Sequence, residues 1–163
     1  MTGLIASPAS APDPENAEVV ADDWFPPVTL DAVRDALRLG DGVVTTARLV
    51  AAIEGAMIHA FRELSQWRTA RILEGAGQLT DVTALTVNGR NYAEVLWERA
   101  VRHFAGAELF TQYRDVSATE AALDRAEDKD TAAEEQRRLA LAAIADLLAI
   151  GGAPIGRNRV ALI

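Results

Sequence analysis

The stretch TARLVAAIEGAMIHAFRELSQWRTARILE, residues 46–74, decides the fold. Its apolar residues Val50, Ile53, Met57, Phe61, Leu64 and Trp67 recur at spacings of three and four, which puts them on one face of an α-helix. Arg62, Glu63, Arg68 and Arg71 populate the wetter faces. Thr45 or Thr46 can cap the start, and Gly75 with Gly77 ends the run, so one long helix to about Glu74 is predicted. A single apolar stripe of this length needs other helices to cover it.

Reading outward supplies them. On the N-terminal side Thr29 can cap a short helix, with Asp31 in its first turn, Leu30, Val33 and Leu37 on one face, and Gly40 just past its end. Asp41-Gly42 forms the break. On the C-terminal side Gln78 to Asn91 is a connection. Ala84-Leu85-Thr86-Val87 followed by Asn88-Gly89 is a hairpin-like signal, but no strong second strand follows, so a loop is predicted. A helix from about Tyr92 to Tyr113 carries Leu96, Ala100, Phe104, Ala107 and Phe110 on one side. Ser117 or Thr119, with Glu120 in the first turn, caps a third long helix. Its charged middle, Asp124 to Glu135, includes Glu127-Asp128-Lys129-Asp130, where a loosening or break is expected. An alanine- and leucine-rich run resumes it to Ile150, and Gly151-Gly152 stops it. The predicted fold class is all-α: a small helical bundle of three long helices and a short N-terminal helix.

The two ends read differently from this body. Residues 1–23 contain Pro8, Pro12 and Pro14 and five acids without a basic side chain, the composition of a flexible arm or of a segment extended along a partner. Trp24-Phe25-Pro26-Pro27 then makes a stiff extended stretch. Its two rings either cover the chain's own core or lie in a partner's groove, and Trp24, Phe25 and Pro26 are candidate docking residues on the second reading. The helical domain is placed at 24–150. Residues 151–163 form a glycine-rich hinge and a strand-like tail in which Arg157, Arg159, Val160, Leu162 and Ile163 are candidate docking residues. Such a tail can add as a strand to a neighbour's sheet edge; a frayed terminus is the alternative.

Composition narrows the function. The 163 residues suit one domain, and half are apolar with only 6% aromatic, a mix that favours closely packed helices over β-sheets. Sixteen basic against 24 acidic side chains leave a formal charge of −8, so a body that repels nucleic acid and anionic membranes is expected. Cysteine is absent, which excludes disulfides and thiolate metal sites. Met1-Thr2-Gly3-Leu4-Ile5 lacks a basic, apolar signal-peptide pattern, and Leu139–Ile150 is too short to span a bilayer, so synthesis in the cytoplasm is expected.

No chemistry is visible. His59 and His103 stand on different helices without metal-ligand spacing, and His59 with Glu63 reads as a surface i, i+4 pair. The chain has no nucleophile elbow, phosphate loop or dinucleotide fingerprint. Glu98, Arg99, Arg102 and His103 point around one helix and do not converge, an i, i+4 pair of Glu98 with Arg102 being the ordinary explanation. No catalytic residue, cofactor or metal is expected.

One pattern is more specific. Trp97-Glu98-Arg99-Ala100-Val101, then Ala107-x-Leu109, then Tyr113-Arg114-Asp115-Val116-Ser117 resemble the central block of the phage head completion proteins, the GPL family of contractile-tailed temperate phages. Phe25-Pro26, Val33-Arg34, Leu37-Arg38, Arg48-Leu49 and Ala52-Ile53 agree in order, and Arg157, Val160 and Ile163 end the chain in the family's Arg-x-x-Val-x-x-Ile manner. The resemblance runs from about Trp24 to Ile163 and is weakest over Glu120 to Gln136. It implies a structural neck protein of the virion, not an enzyme, that joins the portal ring after packaging, stabilises packaged DNA and prepares the head for tail joining. It also implies a self-assembled ring, of twelve copies by analogy with related adaptors, touching a tail-terminator or other neck protein. DNA would pass nearby without sequence-specific binding, and no membrane is involved. The alternative is a small terminase subunit or another ring-forming packaging protein, which would need the basic face that this chain lacks.

Overall fold

The computed structural model describes residue 14 and residues 17–39, 44–112 and 120–151, with backbone alone over 120–130. Its elements run β1 (Glu18–Val19), β2 (Val28–Thr29), α1 (Leu30–Leu37), α2 (Thr46–Leu73), a 3-10 turn (Leu79–Val82), β3 (Thr86–Val87), β4 (Arg90–Asn91), α3 (Tyr92–Gln112) and α4 (Glu120–Leu148). The fold is mostly helical but not purely α, because two small antiparallel sheets flank the helices.

The first sheet starts ahead of Trp24. Glu18 pairs with Thr29 and Val19 with Val28, and the Leu30 amide donates to the Ala17 carbonyl at 2.9 Å. Val19 is buried in the core, so the packed unit begins before Trp24. The second sheet corrects the predicted loop. Thr86 pairs with Asn91 and Val87 with Arg90 across Asn88-Gly89. Both turn residues have positive φ, 51° and 75°, as a type I′ turn demands, and glycine meets that demand without steric cost.

Caps set the helix ends. Thr29 and Thr45 accept hydrogen bonds from the Ala32 and Arg48 amides, each at 3.4 Å. α1 closes earlier than expected: Arg38 adopts the left-handed conformation at φ 53°, and the Leu39 amide returns to the Arg34 carbonyl at 2.9 Å. Gly40, the expected terminator, lies outside the described residues. The expected break at Glu127–Asp130 does not occur, since α4 runs through it unbroken. Glutamate and lysine are good helix formers, and charge alone does not interrupt a helix.

α3 is the central helix. It packs along α2 on one side and α4 on the other, while α2 and α4 touch only sparsely. Burial on two sides explains why Trp97, Val101, Ala105 and Leu109 join Leu96, Ala100, Phe104 and Ala107 in the core, and why no single apolar stripe describes this helix. Small residues set the spacing. At Gly106 a Cβ would lie 2.8 Å from Leu37 Cδ2 and 3.1 Å from Gln136 Oε1, so α1 and α4 close on α3 exactly where a side chain is missing. Among the described residues no polar or charged residue is fully buried.

Candidate functional site

The expected docking segment sits at the centre of an aromatic cluster. Phe25 stacks on Trp97 with ring centroids 4.3 Å apart, Trp24 meets Phe25 edge-on at 4.8 Å and Trp67 at 5.9 Å, and Phe61 lies 5.7 Å from Trp97. Three tryptophans can enter a core because each indole N–H finds a carbonyl. Trp24 donates to Ala76 at 3.2 Å, Trp67 to Ile150 at 2.9 Å and Trp97 to Pro26 at 3.0 Å. Those three bonds tie the N-terminal segment, the α2–α3 connection and the end of α4 to the bundle.

Asp22 holds the entry to this cluster. Its Oδ1 accepts from the Trp24 and Phe25 amides at 3.0 and 2.9 Å, and its Oδ2 lies 2.6 Å from the Arg68 guanidinium, which covers both rings at 5.3 Å. Burial pushes the Asp22 carboxyl up, but the two amides and Arg68 outweigh it and hold the group below its ordinary value.

Of the two readings of Trp24 and Phe25, the structure shows both rings packed in the chain's own core, at 5% and 2% exposure. Pro26 is half-buried and its carbonyl is taken by Trp97. The exposed residues between Val19 and Val28 are Val20, Asp23 and Pro27. The central block is likewise divided between core and surface. Trp97, Ala100 and Leu109 are buried, whereas Arg99 is exposed. Glu98 pairs with Arg90 of β4, not with Arg102 as its spacing suggested. Tyr113, Arg114 and Val116 lie outside the described residues, as do Arg157, Arg159, Val160, Leu162 and Ile163.

A block whose buried members organise the fold invites comparison with known families. The model of the "Phage head completion protein (GPL)" family matches residues 19–157. The chain belongs to this family. It is also 32% identical over 126 residues to the "Head completion/stabilization protein" of Escherichia phage P2, covering 76% of this chain and 74% of that one. No solved structure matches. The matched span begins at Val19, the buried residue of β1.

Two polar residues of this GPL chain make contacts that the sequence does not reveal. Asn91 donates through Nδ2 to the Thr80 and Thr83 carbonyls at 3.0 and 2.9 Å, and its Oδ1 caps α3 by accepting from the Ala93 amide at 2.9 Å. Only its position before the apolar run hinted at a cap. His103 contacts Gln136 Oε1 through Nδ1 at 2.6 Å, joining α3 to α4, and burial pushes its imidazole pKa down. His59 is not simply paired with Glu63, since its ring stacks on Phe104 at 5.4 Å. Among the described residues no group of three His, Asp or Glu side chains could hold a metal ion, and no helix is long and apolar enough to cross a membrane.

Proposed function

We propose that this protein completes phage heads: it binds the portal vertex of DNA-filled heads as a ring, stabilises the packaged DNA and readies the head for tail joining. Membership of the GPL family carries the reading. The P2 relative's role in head completion and stabilisation is the activity transferred, and the virion is the resulting location. The chain's physical character supports it. A body with a net charge of −8 lets duplex DNA pass without capture. A core that consumes its own aromatic residues leaves assembly to surface helices and to the terminal segments. The partners proposed are the portal ring, further copies of the chain, twelve by analogy with related adaptors, and a tail-terminator or other neck protein.

The test uses particles assembled without the protein. Such heads are expected to package DNA and then lose it or leave it open to added nuclease, and supplying the purified chain should restore protection. Heads that keep nuclease-resistant DNA without it would refute the proposed role.

A further inference from the structure

The fold leaves two arginines of α3 without partners. Arg99 is exposed and Arg102, one turn on, is half-buried, and neither side chain makes a hydrogen bond or ion pair among the described residues. The Arg102 Nε is shut off from solvent and meets no acceptor in the chain. Burial first, and then the Arg99 charge beside it, push the Arg102 guanidinium below its ordinary pKa. Glu98 opposes this, but its carboxylate is already paired with Arg90. A charge so placed is stabilised by an anion brought from outside the chain.

A protein carboxylate suits this place better than a nucleic-acid phosphate. A pair of carboxylates at contact distance feels chiefly the two arginines, because charges beyond ~8 Å are screened at physiological salt. Duplex DNA approaches over a wide surface and meets the field of a chain carrying −8. The chain itself supplies a matching pair. Asp31 and Asp35 stand one turn apart on α1, both exposed, and neither carboxylate has a partner among the described residues. Glu134 and Glu135, by contrast, are already paired with Arg137 and Arg138. Residues three or four apart on a helix lie about 5–6 Å from one another, so the two carboxylates match the two guanidiniums in spacing. Within one subunit the pairs do not meet. What α1 sets against α3 at Gly106 is Leu37, and neither aspartate is among the charges acting on Arg102.

We propose that Arg99 and Arg102 of one subunit receive Asp31 and Asp35 of a second copy, as a head-to-tail contact between neighbours in the ring. Such a contact repeats from copy to copy and closes when the rotation allows. It rests on the ring reading above. It is tested on the purified chain without heads, so it can fail while the role in head completion stands.

In sedimentation velocity at low salt the full-length chain is expected to self-associate with rising concentration, and added salt should reverse this. Arg99→Glu with Arg102→Glu, and separately Asp31→Lys with Asp35→Lys, should leave the chain monomeric and helical by circular dichroism. Mixing the two double variants should restore association, since each then offers the charge that the other lacks. A second measurement does not depend on those variants. The chain has no cysteine, so Arg99→Cys and Asp35→Cys each introduce a single thiol. A short bismaleimide should then join the two kinds of copy in preference to like with like. A wild-type chain that stays monomeric, or a mixture of folded double variants no more associated than its parts, overturns the proposal. So does a cross-link without that preference. A duplex-DNA mobility shift lost in the arginine variant, with self-association unchanged, would overturn it by assigning the arginines to phosphate.

Discussion

Replacing Trp97 with Ala removes a fully buried indole together with its bond to the Pro26 carbonyl. A loss of about 3–5 kcal/mol is expected from the cavity and lost burial, read as a lower denaturant midpoint. Trp97→Phe should lose less, because it keeps most of the ring and sacrifices mainly the hydrogen bond, a loss on the order of 1–3 kcal/mol. A Trp97→Ala protein with an unchanged midpoint would show that the aromatic cluster is not what holds the N-terminal segment. Asp22 gives a pH signature at the same place. Its folded pKa lies below the ordinary 3.8, so its stabilising contribution is full above that value and disappears as pH falls through the folded one. Asp22→Asn is expected to lower stability at neutral pH and to flatten the acid limb of a plot of urea midpoint against pH. An unchanged acid limb would remove Asp22 from the account. The tryptophans could be read as core or docking residues from sequence, but their carbonyl partners could not. Trp97 and Pro26 are far apart in the chain, and only the folded backbone brings them together.

Among the elements, the helices were legible and the sheets were not, for a physical reason. A helix is written in local periodicity and caps, so the apolar stripe of α2 and the Thr29 and Thr45 caps could be read directly. Strands of two residues have no period to read. Arg90–Asn91 is a strand because the Asn88-Gly89 turn returns the chain and Asn91 pins it to the Thr80 and Thr83 carbonyls. That reasoning can be tested by comparing two substitutions. Gly89→Ala forces a Cβ into a left-handed turn position and should cost about 1–2 kcal/mol. Asn91→Ala orphans two carbonyls and uncaps α3, so it should cost more and speed amide exchange in the first turn of α3. If Asn91→Ala proves the milder change, turn geometry and not the Asn91 bracket positions the hairpin.

At the scale of the whole molecule, the described bundle closes on itself. The N-terminal segment is held by Asp22 and the tryptophans, and α4 is held to α2 through Trp67 and the Ile150 carbonyl. The family membership could be read from the order of its motifs, since their buried members are spaced by the packing of α3. The docking partners could not, because a surface that meets another protein leaves no trace in the packing of one chain. Removing Arg157–Ile163 separates the two levels. The helical circular-dichroism signal and the thermal midpoint should stay near those of the full chain, while incorporation into DNA-filled heads, followed by sedimentation and immunoblotting, should be lost. A truncated protein that unfolds would make the tail part of the core. One that folds and enters heads normally would shift the docking role to the exposed faces of the helices.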